Sequence, residues 1–162
     1  CMVNNAAFFA KDNLSNVKKS TLEKFFSINC IGPIIIAQNY QKIFGTKAGN
    51  IVNMLDYSAL SIPDNFFSYN LSKASLLYAT QMLARIMAPN IRVNGIAPGY
   101  VLQSFMQTSE SFEKKYRNSP LKTGTTPKEI AKTVEFIIRT KSITGQVIIL
   151  DGGKNLMRAE YN

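Results

Sequence analysis

The sequence of 162 residues contains no histidine, no tryptophan and only two cysteines. Without histidine, a Ser-His-Asp triad, a Cys-His pair and any His-ligated zinc or iron site are excluded within this chain. Cys1 and Cys30 cannot build a disulfide framework or a four-cysteine metal site. We therefore predict no metal centre and a reducing, cytoplasmic location. Acid–base chemistry must be performed by Asp, Glu, Lys or Tyr.

Long apolar runs are also missing. No run approaches the roughly 18 residues that a membrane-spanning helix needs, and no signal-peptide pattern is recognisable. The sequence therefore predicts no membrane partner.

The chain is basic, with 19 Lys and Arg residues against 10 Asp and Glu and a formal net charge of +9. The positive residues are scattered, and their longest runs are the pairs Lys18-Lys19 and Lys114-Lys115. A nucleic-acid surface would instead cluster them on one face, with aromatic residues between them. We expect no nucleic-acid partner, and the charge suits an anionic small molecule.

Strand-like and helix-like periods alternate along the chain. We predict strands at 1–3, 50–55, 91–97 and 146–150, and helices at about 20–44, 65–87 and 126–139. The first helix should begin with a capping box at 20–23 and kink at Gly32-Pro33. The last helix should begin at 126–129, with Thr126 as its N-cap, Pro127 in the first helical position and Glu129 in the third. Residues 102–125 are predicted to be a long loop with a short helix. This alternation predicts one α/β domain over 1–162, with a parallel sheet covered by helices on both faces.

Tyr69 and Lys73 are spaced i and i+4, so they lie on the same face of the second predicted helix. A phenol with a pKa near 10 is a poor acid or base at neutral pH, but an adjacent ammonium favours the phenolate and lowers that pKa. Lysine also offers three donors that suit ribose hydroxyls. Asp56 closes the strand that precedes this helix.

Other motifs stand in a characteristic order around this pair: Asn4-Asn5-Ala6-Ala7, Asn29 in the first helix, Pro98-Gly99, and Asp151-Gly152-Gly153. Over nearly the whole chain, the sequence resembles the short-chain dehydrogenase/reductase family. The resemblance implies a Rossmann-like three-layer α/β/α fold, an oxidoreductase with a nicotinamide cofactor, and a homo-dimer or tetramer.

The resemblance also implies residue roles. Tyr69 would donate the proton, and Lys73 would bind the nicotinamide ribose and lower the Tyr69 pKa. Asn29 would hold a relay water through a local distortion of its helix. The remaining cofactor contacts fall into an adenosine side and a nicotinamide side: Asn4, Asn5 and Ala6 for the first, and Pro98, Gly99 and Val101 for the second.

One position departs from the common family pattern. Asp56 stands where the family has a catalytic serine, and Ser58 is two residues off that spacing. An Asp there resembles the pteridine reductases and the dihydromonapterin/dihydrofolate reductase branch, in which a carboxyl group can relay a proton to a ring nitrogen. Phe9 matches an aromatic position that stacks on the pterin in that branch, although Phe8 and Phe9 also suit core packing. We therefore expect a reductase of a pterin or folate that uses NADPH, with NADH not excluded.

Two alternatives remain open at this point. The chain could be a generic carbonyl reductase, such as a 3-oxoacyl carrier-protein reductase, or an inactive fragment that retains only oligomerisation surfaces. The family's glycine-rich phosphate turn has no counterpart here, and Gly32 is the first glycine. The resemblance therefore predicts the C-terminal portion of a fold, without its N-terminal βαβαβ half.

Overall fold

The computed structural model describes residues 1–61, 63, 65–103 and 108–157. Its strands are β1 (Met2–Asn4), β2 (Gly49–Met54), β3 (Ile91–Pro98) and β4 (Val147–Leu150). Its α-helices are α1 (Lys19–Phe26), α2 (Gly32–Phe44), α3 (Phe67–Ile86), α4 (Ser109–Arg117) and α5 (Pro127–Arg139). A π-helical segment, Ser27–Ile31, joins α1 to α2, and Tyr57–Leu60 and Lys154–Leu156 form short 3₁₀ helices.

The four strands form one parallel sheet in the order β1-β2-β3-β4. Its register pairs Met2 with Ile51, Ile51 with Val93, and Gly95 with Val147. The predicted strands agree with the observed ones to within one residue at most ends. The central strands are buried almost throughout, as expected of a parallel sheet covered on both faces.

Two apolar layers hold the helices against the sheet. On one face, Ile51 and Val93 are fully buried against Ala37 of α2 and Ala84 of α3. On the other face, the apolar side of α5 covers β2 and β3 around the fully buried Ile137. Each fully buried aliphatic side chain contributes about 1.5–3 kcal/mol. The predicted three-layer α/β/α, Rossmann-like fold is confirmed.

The start of α1 differs from the prediction. The capping box expected at 20–23 is wrong, because α1 begins at Lys19 and Ser20 is already inside its first turn. Lys18 occupies the N-cap position in an extended conformation and makes no side-chain capping bond. The box predicted at 126–129 is present: Thr126 accepts the Glu129 N–H at 3.2 Å, and Glu129 accepts the Thr126 N–H at 2.7 Å.

The irregularity predicted at Gly32-Pro33 lies one turn earlier, in the π-helical segment. In a regular α-helix the Pro33 ring would clash with the carbonyl of Asn29 and leave it without a donor. The wider segment accommodates this, with the Gly32 N–H donating to the carbonyl of Ser27, five residues back. Pro33 then lies in the first turn of α2, where its missing N–H is tolerated.

In the predicted loop over 102–125, the short helix is α4, and residues 104–107 lie outside the described residues. None of the helices in the described part of the chain has the length and apolarity that crossing a bilayer requires.

Candidate active site

The predicted site residues meet at one edge of the sheet. Because the strands are parallel, their carboxyl ends lie together, and Asn5, Asp56, Gly99 and Asp151 each follow one of these ends by one or two residues. Ligands of open α/β sheets bind outside this edge. Helix α3 adds Tyr69 and Lys73 to the same region, and the π-helical segment adds Asn29.

Tyr69 contacts Asp56 directly. Its hydroxyl donates to Asp56 Oδ2 at 2.9 Å, and the side chain is buried. Burial raises the pKa of the Tyr69 phenol, and the charge of Asp56 and their hydrogen bond raise it further. The expectation that Lys73 lowers this pKa is therefore wrong for this arrangement, because the carboxylate contacts the hydroxyl and the ammonium does not. The Tyr69 phenol is therefore held in its neutral form.

Lys73 is 3% exposed, and its Nζ donates to the carbonyl of Met54 at 2.6 Å, at the end of β2. Its Nζ lies 5.8 Å from the centre of the Tyr69 ring. Burial lowers the pKa of Lys73 to about 8, although the charge of Asp56 acts in the opposite direction. An ammonium has three hydrogens, so the Met54 contact leaves donors for the hydroxyls of a ligand.

Asn29 uses its side chain to anchor the loop that follows β1. Its Oδ1 accepts the Phe8 N–H at 2.7 Å, and its Nδ2 donates to the Phe8 carbonyl at 2.9 Å and to Ser72 Oγ at 3.0 Å. The predicted relay water would therefore bind the Asn29 carbonyl rather than the amide. Pro33 has no N–H, so it cannot donate the usual i+4 helical hydrogen bond to that carbonyl.

Asp56 is held by Ser58 as well as by Tyr69. Its Oδ1 accepts the Ser58 N–H at 2.9 Å and lies 2.6 Å from Ser58 Oγ, which in turn lies 2.6 Å from Asn70 Oδ1. Sequence reasoning set Ser58 aside and missed Asn70 completely. Ser58 occupies the side of the carboxylate opposite to Tyr69, so it orients Asp56 rather than replacing it.

Phe9 lies beside the Tyr69 ring. The two rings meet edge to face with centres 4.8 Å apart, and Phe9 also stacks on Phe66 at 4.8 Å. Phe9 remains 57% exposed, whereas Phe8 packs against Phe25 of α1 at 4.7 Å. The chain therefore directs Phe9 towards the site and Phe8 towards the core. Phe66, which adopts a left-handed backbone conformation before α3, was not anticipated.

The residues assigned to the adenosine side divide into two kinds. Asn4 is buried, and its Nδ2 donates to Asn53 Oδ1 at 2.7 Å. Asn53 continues to Thr80 Oγ1 at 2.9 Å, and Thr80 to the Leu76 carbonyl at 2.7 Å. We call Asn4, Asn53 and Thr80 the neutral ladder. It links β1, β2 and α3, and it engages the Asn4 side chain within the protein, so the assignment of Asn4 to the cofactor stays a prediction. Asn5 and Ala6 are exposed.

The residues assigned to the nicotinamide side follow β3. Pro98, Gly99 and Val101 are all half-buried, and the Gly99 N–H donates to the Leu150 carbonyl at 2.7 Å. A Cβ on Gly99 would lie 2.9 Å from Cα and Cβ of Asp151, so this close approach requires glycine. Tyr100 lies between Gly99 and Val101, and its hydroxyl accepts a hydrogen bond from the Tyr57 hydroxyl at 3.0 Å. Sequence reasoning also missed this pair.

The terminal Asp-Gly-Gly motif forms the turn behind Gly99. Asp151 is buried and accepts the N–H groups of Gly153 at 2.8 Å and Asn155 at 2.6 Å. Gly152 and Gly153 both have positive φ, which explains why two glycines follow the aspartate.

A sequence model described as enoyl-(acyl carrier protein) reductase matches residues 1–155. The chain belongs to the short-chain dehydrogenase/reductase family. Among curated members of this family, it is 27% identical to the dihydromonapterin reductase of Shigella boydii serotype 4 (strain Sb227) over 158 residues, which cover 96% of the chain and 66% of that protein.

Two solved structures are also similar to the chain in both fold and sequence. FolM alternative dihydrofolate reductase 1 from Brucella suis, in complex with NADP, is 37% identical with a TM-score of 0.93, covering 97% of the chain and 64% of that structure. The same protein from Brucella canis, also complexed with NADP, is 37% identical with a TM-score of 0.94 over 99% of the chain and 64% of that structure. The chain therefore spans about two thirds of these relatives, or slightly less.

Proposed function

We propose that the protein containing this chain is an NADPH-dependent reductase of a pterin or folate. The observation that carries the proposal is the hydrogen bond between Tyr69 and Asp56, with the Phe9 ring against the edge of Tyr69. A carboxyl group beside the proton donor suits a basic ring nitrogen, and an exposed aromatic face suits a flat heterocycle. The names of the Shigella and Brucella relatives support the same substrate class.

The residues present fit the nicotinamide end of such a cofactor. Lys73 offers ammonium hydrogens to the ribose hydroxyls, and the backbone at Gly99 gives close access beside Asp151. Asn5 and Ala6, which are exposed, would lie along the adenosine side together with Asn4. Bound NADPH would supply a hydride, two electrons and one hydrogen nucleus, to the carbon of a C=N bond.

This chain's own residues would supply the matching proton. The nitrogen of the C=N bond gains an N–H bond as the O–H bond of Tyr69 breaks, and the dihydropterin becomes a tetrahydropterin. Asp56 would orient the Tyr69 hydroxyl, and the Asn29 carbonyl would hold the water that restores the proton. Phe9 would pack on the pterin ring, which its exposure allows. General acid catalysis of this kind contributes typically about 10²–10⁴-fold.

We also propose that residues 1–162 act as one folded unit within a cytoplasmic homo-dimer or tetramer. Helices α2 and α3 support the assembly, because both expose large apolar side chains on their outer faces: Ile35, Ile43, Leu71, Tyr78, Met82 and Ile86. Sedimentation equilibrium measures the oligomeric state, and a purely monomeric protein would contradict the proposed dimer or tetramer.

The complete gene product that contains this chain should oxidise NADPH with dihydrobiopterin, dihydromonapterin or dihydrofolate. A 3-ketoacyl thioester and an enoyl thioester are the competing substrates, since they represent the carbonyl-reductase alternative and the description of the matching family model. Turnover of a thioester without turnover of any pterin would contradict the proposed substrate class. Failure with every substrate would contradict the proposed enzymatic activity.

A further inference from the structure

Asp12 joins the loop that follows β1 to the start of α3. The residue is 6% exposed, although an aspartate is seldom buried. Its carbonyl accepts the N–H groups of Phe66 at 3.0 Å and of Phe67 at 3.3 Å. Its Oδ1 accepts the N–H of Ser68, 56 residues further along the chain, at 3.0 Å. Three consecutive N–H groups at the start of α3 therefore bind one residue of a distant loop.

The backbone of Phe66 explains why these N–H groups meet at one point. Phe66 has a φ of 59° and a ψ of 45°, which is a left-handed conformation, and Phe67 beside it is helical. Adjacent left-handed and right-handed residues turn successive N–H groups to the same side and form a concavity that binds anions. A bulky residue adopts a positive φ only where its surroundings hold it there. Asp12 supplies that restraint, because a phenylalanine side chain cannot cap the helix itself.

Phe9 lies between two anchored points of the same loop. On one side, the Asn29 side chain binds both the N–H and the carbonyl of Phe8. On the other side, three residues beyond Phe9, Asp12 binds α3. The Phe9 ring stacks on Phe66 with ring centres 4.8 Å apart and planes inclined by 18°. Asp12 therefore restrains both the loop that carries the Phe9 ring and the residue on which that ring rests.

We propose that Asp12 is a positioning residue that holds the Phe9 ring in place for the substrate. The inference rests on the proposed function, in which Phe9 packs on the pterin ring. Tyr69 follows Ser68 directly, but it has its own hydrogen bond to Asp56, and α3 continues for 20 residues against the sheet. Loss of the Asp12 side chain should therefore alter the binding of the pterin more than the chemical step.

Steady-state kinetics of the complete gene product separate these two effects. Asp12→Ala should raise the KM for the pterin about 2–10-fold, the range of a stacking contact, and change kcat and the KM for NADPH by less than about twofold. Asp12→Leu fills a similar volume without an acceptor and should behave in the same way. Asp12→Asn retains an Oδ1 acceptor for Ser68 and should restore the wild-type KM.

The matched control is Asn90→Ala. Asn90 also joins a loop to the end of a helix, because its Nδ2 donates to the Gly45 carbonyl at 2.6 Å, but it precedes β3 and so lies at the opposite end of the sheet from the site. Its loss should leave all three kinetic constants unchanged. A purely structural role of Asp12 predicts the same for Asp12→Ala, so an unchanged pterin KM in both Asp12→Ala and Asp12→Leu would overturn the inference.

A double variant shows whether Asp12 acts through Phe9. In Asp12→Ala combined with Phe9→Leu, the pterin KM should be no higher than in the more affected single variant, because both changes remove the same contact. A KM raised by the product of the two single effects would overturn the inference, since it would show that the residues act independently.

Crystal structures of the complete wild-type protein and of Asp12→Ala test the inference without turnover. The variant should lose the stack of Phe9 on Phe66, with ring centres beyond about 7 Å, the outer limit for aromatic pairs. An unmoved Phe9 ring would overturn the inference. Failure of the wild type with every substrate would contradict the proposed function alone, because the ring positions are measured without it.

Discussion

Helix α3 packs two polar clusters against the sheet, and they differ in chemistry. The neutral ladder of Asn4, Asn53 and Thr80 matches donors to acceptors one to one, at 2.7–2.9 Å. The second group, which we call the reactive cluster, contains a carboxyl, a phenol and an ammonium together with Ser58 and Asn70: Asp56, Ser58, Tyr69, Asn70 and Lys73. Each of its protonation states needs a different set of hydrogen bonds.

The presence of titratable groups therefore distinguishes the candidate active site from the structural core more reliably than burial does. Asn53 and Lys73 are both almost fully buried, at 0% and 3% exposure. Changing pH alters nothing in the ladder, whereas the reactive cluster changes charge with it. Variants in the ladder should therefore lower stability, and variants in the reactive cluster should alter activity and its pH dependence.

The largest expected effect follows from removing the Tyr69 hydroxyl. Tyr69→Phe in the complete gene product should lower kcat for pterin reduction by about 10²–10⁴-fold, because the proton donor is lost. Single-turnover measurements with NADPH would show the loss in the chemical step. Tyr40→Phe, beside the amino end of β2 and so at the opposite end of the sheet from the site, should retain full activity. A loss below tenfold in Tyr69→Phe would remove Tyr69 from its proposed role.

Breaking the ladder should cost stability instead. Asn53→Ala leaves the buried Asn4 amide without its acceptor and should lower the free energy of unfolding by about 2–4 kcal/mol. Urea denaturation of the chain measures this. Gln41→Ala, on the exposed surface of α2, should change it by less than about 0.5 kcal/mol. A stability equal to that of the wild type would show that the ladder does not hold β1.

The pH dependence of stability sharpens the comparison. The pKa of Lys73 is about 8 in the folded chain, below the 10.5 of an unperturbed lysine, so the unfolded state binds more protons between these values. Stability should therefore rise with pH, by about 2–3 kcal/mol between pH 8 and pH 10. Lys73→Met should abolish this rise, and Lys42→Met on α2 should retain it. Urea denaturation at pH 7, 8, 9 and 10 measures it. The phenols of Tyr69 and Tyr57, whose pKa values folding raises, oppose this rise as the pH approaches 10, and they do so in the wild type and in both variants alike.

The smallest effect concerns the two adjacent phenylalanines. Phe9→Leu should raise the KM for the pterin about 2–10-fold with little change in kcat, because stacking is worth about 0.5–1.5 kcal/mol. Phe8→Leu should lower stability and leave KM unchanged, since Phe8 packs against Phe25. Steady-state kinetics of both variants decide this, and equal KM changes would contradict the different orientations of the two rings.

Much of the fold and part of the site follow from local sequence. The strands and long helices are predictable because their apolar periods extend over whole elements. Tyr69 and Lys73 are recognisable by their i, i+4 spacing together with the surrounding motifs, and Asp56 by the resemblance to the short-chain dehydrogenase/reductase family. The pairing of Ser58 with Asn70 is not, because it depends on how the 3₁₀ helix at Tyr57–Leu60 turns back onto α3. The direction of the Tyr69 pKa shift is likewise set by burial in the tertiary structure and by the contact with Asp56, rather than by the i+4 lysine.

The side-chain hydrogen bonds of Asn29 and the backbone conformation of Phe66 could not be predicted from the neighbouring sequence either. Asn29 bonds to Phe8, twenty-one residues earlier in the chain, and no local pattern records that contact. Phe66 begins α3 with a φ of 59°, a conformation that a bulky residue seldom adopts and that its type does not suggest.

The π-helical segment at Ser27–Ile31 fixes the rotational phase of everything that precedes it. An α-helix advances about 100° per residue, so deleting one residue within the segment would turn α1 by about that angle relative to α2. Asn29 would leave Phe8, and the apolar side of α1 would turn away from the sheet. The length of this segment therefore specifies the site as strictly as the identity of any side chain in it.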